Sequence, residues 1–217
     1  MSSPTTAYLA QGDYGHAVAH RLAGPDDVLL DVRDEVFGAA LPYADRLVLI
    51  CDADRDDLRA ALDAESFTRG IPSIGLELSP TQLRCGPLVI PGATPCHGCS
   101  TRRRRQHGYR PLPEGLAPLE QGYAEHHVVI GVGLISMALG LLDEGGAGSA
   151  GNGEAGGRVW TVELVTGLTS SARVTAVDRC PTCSGRYDGA RDGLSELAVL
   201  LPARLRATVS NPSRTVI

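Results

Sequence analysis

In the first half of this chain, apolar residues occur in short runs that polar turns separate. We predict strands over residues 7–11, 28–31, 46–52 and 71–78, and helices after the turn at residues 12–15 and over residues 56–64. The run at 46–52 is apolar almost throughout, which is typical of a parallel strand buried on both faces. In the first helix Val18 and Leu22 share one face, and a Gly-Pro pair ends the pattern. Strands that alternate with helices over short connections predict a parallel sheet covered by helices.

The second half of the chain has a different pattern. We predict a strand over residues 85–90, a long apolar helix over 123–143, antiparallel strands over 158–165 and 172–177, and a short amphipathic helix over 193–208. Residues 144–157 hold too little apolar surface to offset the entropy of ordering, so we expect a disordered loop there. The length of 217 residues fits one domain, residues 1–217. The expected fold class is α/β, a mostly parallel sheet with flanking helices and a C-terminal antiparallel part.

Four cysteines form two Cys-x-x-Cys knuckles, Cys96 with Cys99 and Cys180 with Cys183. Each knuckle turns both sulfurs toward one centre, and two knuckles together offer a zinc ion four thiolates. Such a closed site leaves no position for water, which makes it structural and not catalytic. Two disulfides, or thiols that only pack in the core, are the alternatives. Without a secretion signal the pattern favours Zn2+.

Composition narrows the classes of function. The N-terminal residues lack the basic and apolar regions of a signal peptide, and the longest apolar run, 128–142, is short for a bilayer, so we expect a cytoplasmic protein without membrane contact. The formal net charge of -5 argues against nucleic-acid binding. The chain contains no lysine, and arginine supplies all 20 of its Lys and Arg cations.

A glycine turn and three aspartates mark the ends of the predicted parallel strands. Gly12 and Gly15 lie where a nucleotide phosphate would rest on a helix N-terminus, although a plain strand–helix turn is the simpler interpretation. Asp31 falls where a ribose-binding acid would lie in a dinucleotide fold. Asp52 and Asp54 could hold a magnesium ion, but the pattern favours Asp54 as the cap of the following helix.

The remaining candidate residues have simpler interpretations. The run Arg102–Arg105 could grip an acidic peptide or a phosphate, but such runs are typical of a solvated face. We interpret His126 and His127 as ordinary helix residues and Cys51 and Cys85 as buried apolar thiols.

The order of these features resembles the ThiF-like superfamily, the relatives of ubiquitin-activating enzymes, over nearly the whole chain. The shared order is a strand, a glycine turn, a helix, a strand ending in an acid, a strand followed by Asp-Ala-Asp, a Pro-Cys-x-x-Cys knuckle, a long apolar helix, two strands and Cys-Pro-x-Cys. Within the superfamily, Cys85-Gly-Pro-Leu-Val-Ile-Pro-Gly-Ala-Thr-Pro-Cys96-His-Gly-Cys99 is most similar to the ocin-ThiF-like branch. Members of this branch are non-catalytic partners of azoline-forming cyclodehydratases. The resemblance implies a Rossmann-like sheet closed by the cysteine site.

Residue by residue, the resemblance implies a degenerate nucleotide site. The matching positions are Gly12 and Gly15 for the glycine-rich loop, Asp31 for the ribose acid and Asp54 for the magnesium acid. Ala10 and Asp13 stand where further glycines belong, and the phosphate-binding lysine has no counterpart. Arginine does not replace lysine at a fitted phosphate site, so most of the electrostatic stabilisation of adenylate formation is lost.

The implied role is that of a scaffold in the biosynthesis of a ribosomally made, azol(in)e-containing peptide such as a bacteriocin. The chain would assist a YcaO-type ATP-dependent cyclodehydratase and help present the precursor peptide. The alternative is an adenylating enzyme of the same fold that uses ATP and Mg2+ to activate a peptide carboxylate. Because the first predicted strand begins near residue 7, we expect no N-terminal winged-helix peptide clamp. The leader would then bind this chain directly or a separate subunit, and the resemblance implies a homodimer or a heterodimer with a ThiF-like paralogue.

Overall fold

The computed structural model describes residues 4–32, 41–110, 122–144 and 156–183. Its elements are β1 (Thr6–Ala10), α1 (Gly12–Leu22), β2 (Val28–Asp31), β3 (Arg46–Asp52), α2 (Asp56–Arg69), β4 (Ser73–Leu78), β5 (Gln82–Cys85), α3 (His97–Gln106), α4 (Glu125–Glu144), β6 (Arg158–Glu163) and β7 (Thr169–Arg173). Most of the predicted loop at 144–157, and the whole predicted helix at 193–208, lie outside the described residues.

The described strands form one sheet in the order β2-β1-β3-β4-β5-β6-β7. The first four strands in this order, β2, β1, β3 and β4, are parallel, and β5, β6 and β7 are added antiparallel. The predicted fold class is therefore confirmed. Because β2 lies on one side of β1 and β3 on the other, the chain changes direction across the sheet at β1, and this switch point is where α/β sheets usually bind their ligands.

Alternating side chains of the parallel strands bury both faces of the sheet. Tyr8 and Ile50 point toward α1 and α4, where Val18 and Ile135 complete one cluster. Their neighbours in sequence point to the other face, where α2 packs on a second cluster. The second cluster contains Leu9, Leu47, Leu49, Leu58 and Leu62. Successive side chains of a strand point to opposite faces of the sheet. Because both faces are buried here, both sets of side chains are apolar, and the sequence of β3 reads as an uninterrupted apolar run.

Three elements differ most from the sequence predictions, and the others differ by no more than about two residues at either end. α2 continues to Arg69, five residues beyond the predicted end, and stops at Gly70, whose φ of 69° is left-handed. β5 covers Gln82–Cys85 and not 85–90, because Pro87 offers no N–H to continue the ladder. β7 lies at Thr169–Arg173 and not at 172–177, because a turn in which the Gly167 N–H donates to the Glu163 carbonyl sets its register. The sequence did not predict a strand there, because the residues Thr-Ser-Ser at the start of β7 are polar and show no apolar alternation.

α4 is longer than the apolar run 128–142. By length and composition alone its 20 residues could cross a bilayer, a test that the core helix of a soluble protein also passes. In this fold its inward side packs on α1 and the sheet, with Val128, Ile135 and Ala138 buried. Only 28% of its most apolar 18-residue window is buried, however, so much of this helix remains exposed.

Candidate metal centre and nucleotide crevice

The four knuckle cysteines converge on one point. Their sulfur atoms all lie within 4.8 Å of one another, and the four residues are buried. The Sγ–Sγ separations are 3.5 Å for Cys96–Cys180, 3.4 Å for Cys99–Cys183 and 4.0 Å for Cys96–Cys99. Four thiolates about 2.3 Å from a tetrahedral zinc ion would lie about 3.8 Å apart, so the cluster has the size that such an ion requires. All four are free cysteines in this structure, where the shortest sulfur separation, 3.4 Å, exceeds the about 2.05 Å of a disulfide bond.

Local structure explains how the knuckles meet. Cys96 directly precedes α3 and Cys99 lies in its first turn, which the sequence analysis did not predict as a helix. The second knuckle follows β7, and the Val177 N–H donates to the Cys99 sulfur over 3.4 Å. Hydrogen bonds from Cys183 and Cys96 lower the pKa of Cys99. The donor set and its geometry fit a metal ion held by four sulfurs.

α2 holds the first knuckle through two buried polar contacts that the sequence analysis missed. Arg59, which is 1% exposed, donates to His97 Nδ1 over 3.3 Å and to the Gly86 carbonyl over 2.7 Å. Asp63 accepts the Gly98 N–H over 3.1 Å. These contacts place the Cys-x-x-Cys turn on the parallel half of the sheet.

A glycine inside a buried strand was the available signal for this network. A Cβ atom at Gly75 would lie 0.9 Å from Nη1 of Arg59, so the guanidinium occupies the space that any other residue would fill. Glycine in a strand interior often marks such a close approach. The network includes a second acid, since Glu77 Oε1 lies 3.9 Å from Arg59 Nε.

The glycine turn lies at the switch point between β1 and β3, but the protein's own groups occupy the crevice there. The Gln11 N–H donates to the Ile50 carbonyl over 2.9 Å, and the Asp52 N–H donates to Gln11 Oε1 over 3.0 Å. An Asp52 carboxylate oxygen lies 3.2 Å from where a Cβ of Gly12 would stand, at the N-terminus of α1. A Cβ at Gly15 would lie 2.7 Å from the Ile50 carbonyl, so this glycine allows α1 to pack on β3.

The two aspartates predicted to bind a nucleotide, Asp31 and Asp54, lie on different sides of the site, and each forms a hydrogen bond with another side chain of the protein. Asp31 ends β2 and accepts from His16 Nε2 of α1 over 2.9 Å. Asp54 precedes α2 with a φ of 63°, and its carboxylate accepts a hydrogen bond from the Tyr109 hydroxyl. The expected capping role of Asp54 is wrong, because Arg55 holds the N-cap position of α2 and no side chain caps it.

The arginine run is a solvated face only in part. It lies in α3, where Arg103 donates to the Ala176 carbonyl over 2.9 Å, beside the second knuckle. Arg104 lies 3.7 Å from the centre of the Tyr109 ring, and Arg105 lies 3.4 Å from the Asp56 carboxylate. Arg103 and Arg104 are half-buried and tie α3 to the rest of the fold, whereas Arg102 and Arg105 are exposed, so the ion pair of Arg105 contributes little.

The remaining candidates behave as the sequence predicts. The rings of His126 and His127 meet edge to face in the first turn of α4, with their centroids 4.2 Å apart, and the Ala124 N–H donates to His127 Nδ1 over 3.2 Å. Cys51 and Cys85 are fully buried, and burial raises the pKa of Cys85 to about 12 and that of Cys51 still further. These thiols are protonated and unreactive.

No protein-family model matches the sequence, and no curated protein matches it either. Solved structures do share its fold. A heterocyclase in complex with substrate and cofactor aligns with a TM-score of 0.61 at 15% identity, covering 83% of this chain and 25% of that one. The E. coli microcin synthetase McbBCD complex aligns with a TM-score of 0.58 at 14% identity, covering 82% and 69%. E. coli MccB with ATP aligns with a TM-score of 0.54 at 12% identity, covering 83% and 67%.

These likenesses establish the fold, an α/β sheet arrangement shared with a heterocyclase, a microcin synthetase complex and MccB. The chain spans about a quarter of the length of the heterocyclase that it matches.

Proposed function

We propose that this protein is a non-catalytic ThiF-like partner subunit in the biosynthesis of a ribosomally made, azol(in)e-containing peptide. It assists a YcaO-type cyclodehydratase and helps to present the precursor peptide in the cytoplasm. One observation carries the proposal: in a fold shared with a heterocyclase and a microcin synthetase, the Asp52 carboxylate lies at the N-terminus of α1, where a phosphate would rest, and the Asp52 N–H is bonded to Gln11. A scaffold needs the fold but not the crevice.

The crevice opposes adenylate formation for electrostatic reasons. A triphosphate at the N-terminus of α1 would meet the Asp52 carboxylate at the position where backbone N–H groups and a lysine should receive it. The chain has no lysine. Of its buried arginines, Arg59 serves the network around the first knuckle, where it binds His97 and the Gly86 carbonyl.

The proposed metal is a structural zinc ion held by Cys96, Cys99, Cys180 and Cys183. Such an ion supplies folding free energy and no open coordination position. It would join α3, in the middle of the chain, to the segment that follows β7. The knuckles thereby fix the antiparallel strands to the parallel half that carries the switch point.

Reconstitution with a YcaO-type cyclodehydratase and a Cys/Ser/Thr-rich precursor from the same genome tests the role. The measurement is the mass of the peptide, which falls by one water per heterocycle. We expect this chain to raise the rate of ring formation at least about tenfold, as a partner that positions the substrate would. Cys180→Ser should lose that stimulation, whereas Arg102→Ala, at an exposed position of α3, should retain it. A rate independent of this chain would contradict the proposal.

The alternative function is ATP-dependent activation of a peptide carboxylate. Two observations favour it: E. coli MccB with ATP shares the fold, and Gly12 and Asp31 lie at the same edge of the sheet. An adenylating enzyme must bind ATP with Mg2+ without any partner, which separates the two proposals.

A further inference from the structure

Two histidines of α1 and one aspartate of β2 form a second group of metal-ligating side chains. His16 and His20 are four residues apart, so both lie on one side of the helix, and the centroids of their rings are 6.2 Å apart. Asp31 ends β2, and its Oδ1 lies 2.9 Å from His16 Nε2. His16 therefore binds a carboxylate and lies beside a second imidazole.

The spacing of the two histidines is one by which helices bind zinc. In His-x-x-x-His on a helix, the imidazoles at positions i and i+4 reach the same ion, and a carboxylate can provide the third ligand. Two imidazoles and one carboxylate suit zinc and the related divalent transition metals. This set shares no residue with the four sulfurs of the cysteine cluster.

We infer that His16, His20 and Asp31 form a second metal site, which takes a divalent transition-metal ion such as Zn2+. The ion replaces the proton that His16 and Asp31 share in their hydrogen bond. Three protein ligands leave one position of a tetrahedral ion open to water, whereas the four thiolates of the cysteine cluster leave none. The inference does not depend on the proposed function, because it rests on α1 and β2 alone.

The distances need only small changes to accept an ion. Two ligand atoms about 2.0–2.1 Å from a tetrahedral zinc ion are about 3.3 Å apart, and the His16 Nε2–Asp31 Oδ1 distance is 2.9 Å. Two imidazoles on such an ion have centroids about 5 Å apart, against 6.2 Å here. The side chain of His20 is exposed, so a change of its rotamer can bring the ring closer.

The backbone that carries the three side chains is fixed. Asp31 pairs with Ala10 of β1, and the next residue, Val32, donates its N–H to the Ala10 carbonyl over 2.8 Å. α1 packs closely on β3 at Gly15, directly before His16. Ligands on a packed helix and a paired strand are positioned more accurately than ligands on loops.

Separate roles for the three side chains are the alternative. His16 and Asp31 would then form an ion pair that stabilises the fold little, since the two side chains are 35% and 44% exposed. His20 would only interact with the dipole of α1, in whose last turn it lies. Neither role requires a second histidine four residues from His16, and a weak ion pair offers little resistance to an entering ion.

Calorimetric titration of the full chain with Zn2+ tests the site. The protein is first saturated with Zn2+ and dialysed, which leaves the cysteine cluster filled and removes the more weakly bound second ion. We expect one further ion per chain with a dissociation constant below about 100 µM. His20→Ala and Asp31→Ala should each raise that constant at least about tenfold, because each removes a ligand. Similar melting temperatures without added zinc would show that the variants are folded.

Two matched controls separate this site from general binding to surface groups. His107→Ala removes an exposed histidine at the end of α3, and Asp13→Ala removes an exposed acid of α1 three residues before His16. Both variants should keep the second ion at the parent affinity. Co2+ added to the zinc-filled protein should bind without the intense near-ultraviolet absorption of cobalt–thiolate bonds, since its ligands are nitrogen and oxygen.

Three results would overturn the inference. The parent chain could bind no second ion at about 1 mM Zn2+, His20→Ala and Asp31→Ala could bind it unchanged, which would show adventitious binding elsewhere, or the added Co2+ could show thiolate absorption. None of these experiments contains the cyclodehydratase or a precursor peptide. A chain without a second ion that still stimulates ring formation would therefore end this inference and leave the proposed function standing.

Discussion

The two candidate sites of this protein differ in what their residues contact. At the cysteine cluster, four side chains from distant parts of the chain point at one another and leave a centre of the size of a metal site. At the switch point, Asp52 and Gln11 fill the crevice, Asp31 binds His16, and Asp54 binds Tyr109. At the cysteine cluster, the four sulfur atoms surround a space in which a metal ion would fit. At the switch point, side chains of the protein make the contacts that a nucleotide would otherwise make. A fold keeps a site open only where its own polar groups do not satisfy one another.

The largest expected effect is loss of the metal. Because the free energy of zinc binding is folding free energy when the unfolded chain has no preformed site, chelation should lower the free energy of unfolding by at least about 5 kcal/mol. The measurement is thermal unfolding with and without a chelator, alongside the zinc content. Cys99→Ser should match the chelated protein, and Cys85→Ala, a buried thiol outside the cluster, should keep its zinc. Unchanged stability after zinc removal would contradict a structural role.

The next effect concerns the hold of α2 on the first knuckle. Arg59→Met should destabilise the fold by about 3 kcal/mol, because it leaves the buried Gly86 carbonyl without its donor and removes one of the two arginines that face the buried Glu77 carboxylate. Gly75→Ala should cost as much by driving a methyl group into the Arg59 guanidinium. Urea unfolding of the single variants and the double variant measures the coupling. The double variant should cost less than the sum, since the shorter methionine side chain would leave room for the added methyl, and simple additivity would refute the contact.

Changes at the crevice should have smaller effects. Asp52→Ala removes a carboxylate at the N-terminus of α1, so we expect about 1 kcal/mol of lost stability from the helix dipole. The loss should shrink in high salt if the interaction is electrostatic. Denaturant unfolding at low and high salt gives both values, and Asp26→Ala, at an exposed turn position before β2 and away from the N-terminus of α1, is the control. A stability gain in Asp52→Ala would mean that the carboxylate is strained there to serve a ligand.

The smallest effects separate the arginines of α3. Arg103→Ala should cost about 1–2 kcal/mol, because the Ala176 carbonyl loses its donor beside the second knuckle. Arg102→Ala should change stability by no more than about 0.5 kcal/mol, as an exposed substitution does. Thermal unfolding of this matched pair decides whether the run is structural. Equally small effects of the two substitutions would show that the arginine run is the solvated face that composition alone favours.

Much of the fold could be predicted because local pattern and tertiary packing agree. The apolar run of β3 predicts its bounds, Arg46–Asp52, and the Cys-x-x-Cys spacing predicts which four residues converge. The sequence could not place β7, because its polar residues carry no strand pattern and the turn at Gly167 sets its register. It also did not predict α3, because a run of arginines has no apolar periodicity. Hydrogen bonds from Asp63 and Thr101 to the first knuckle hold this helix in place.

The occupation of the crevice lay beyond sequence reasoning for a different reason. Gln11 and Asp52 are distant in sequence, and only the pairing of β1 with β3 brings the Gln11 side chain onto the backbone of Asp52. Asp54 similarly meets Tyr109 through the position of α3. Contacts of this kind depend on register and not on composition, so a matching motif residue says little about whether its side chain remains available.

ATP binding tests the central claim most directly. Titration calorimetry with ATP and Mg2+ should be performed on protein whose zinc content is measured in the same sample. The account predicts about one zinc per chain and no nucleotide binding at about 1 mM ATP. Micromolar binding that disappears in Asp54→Ala would contradict it, and the protein would then be an adenylating enzyme that works without a lysine.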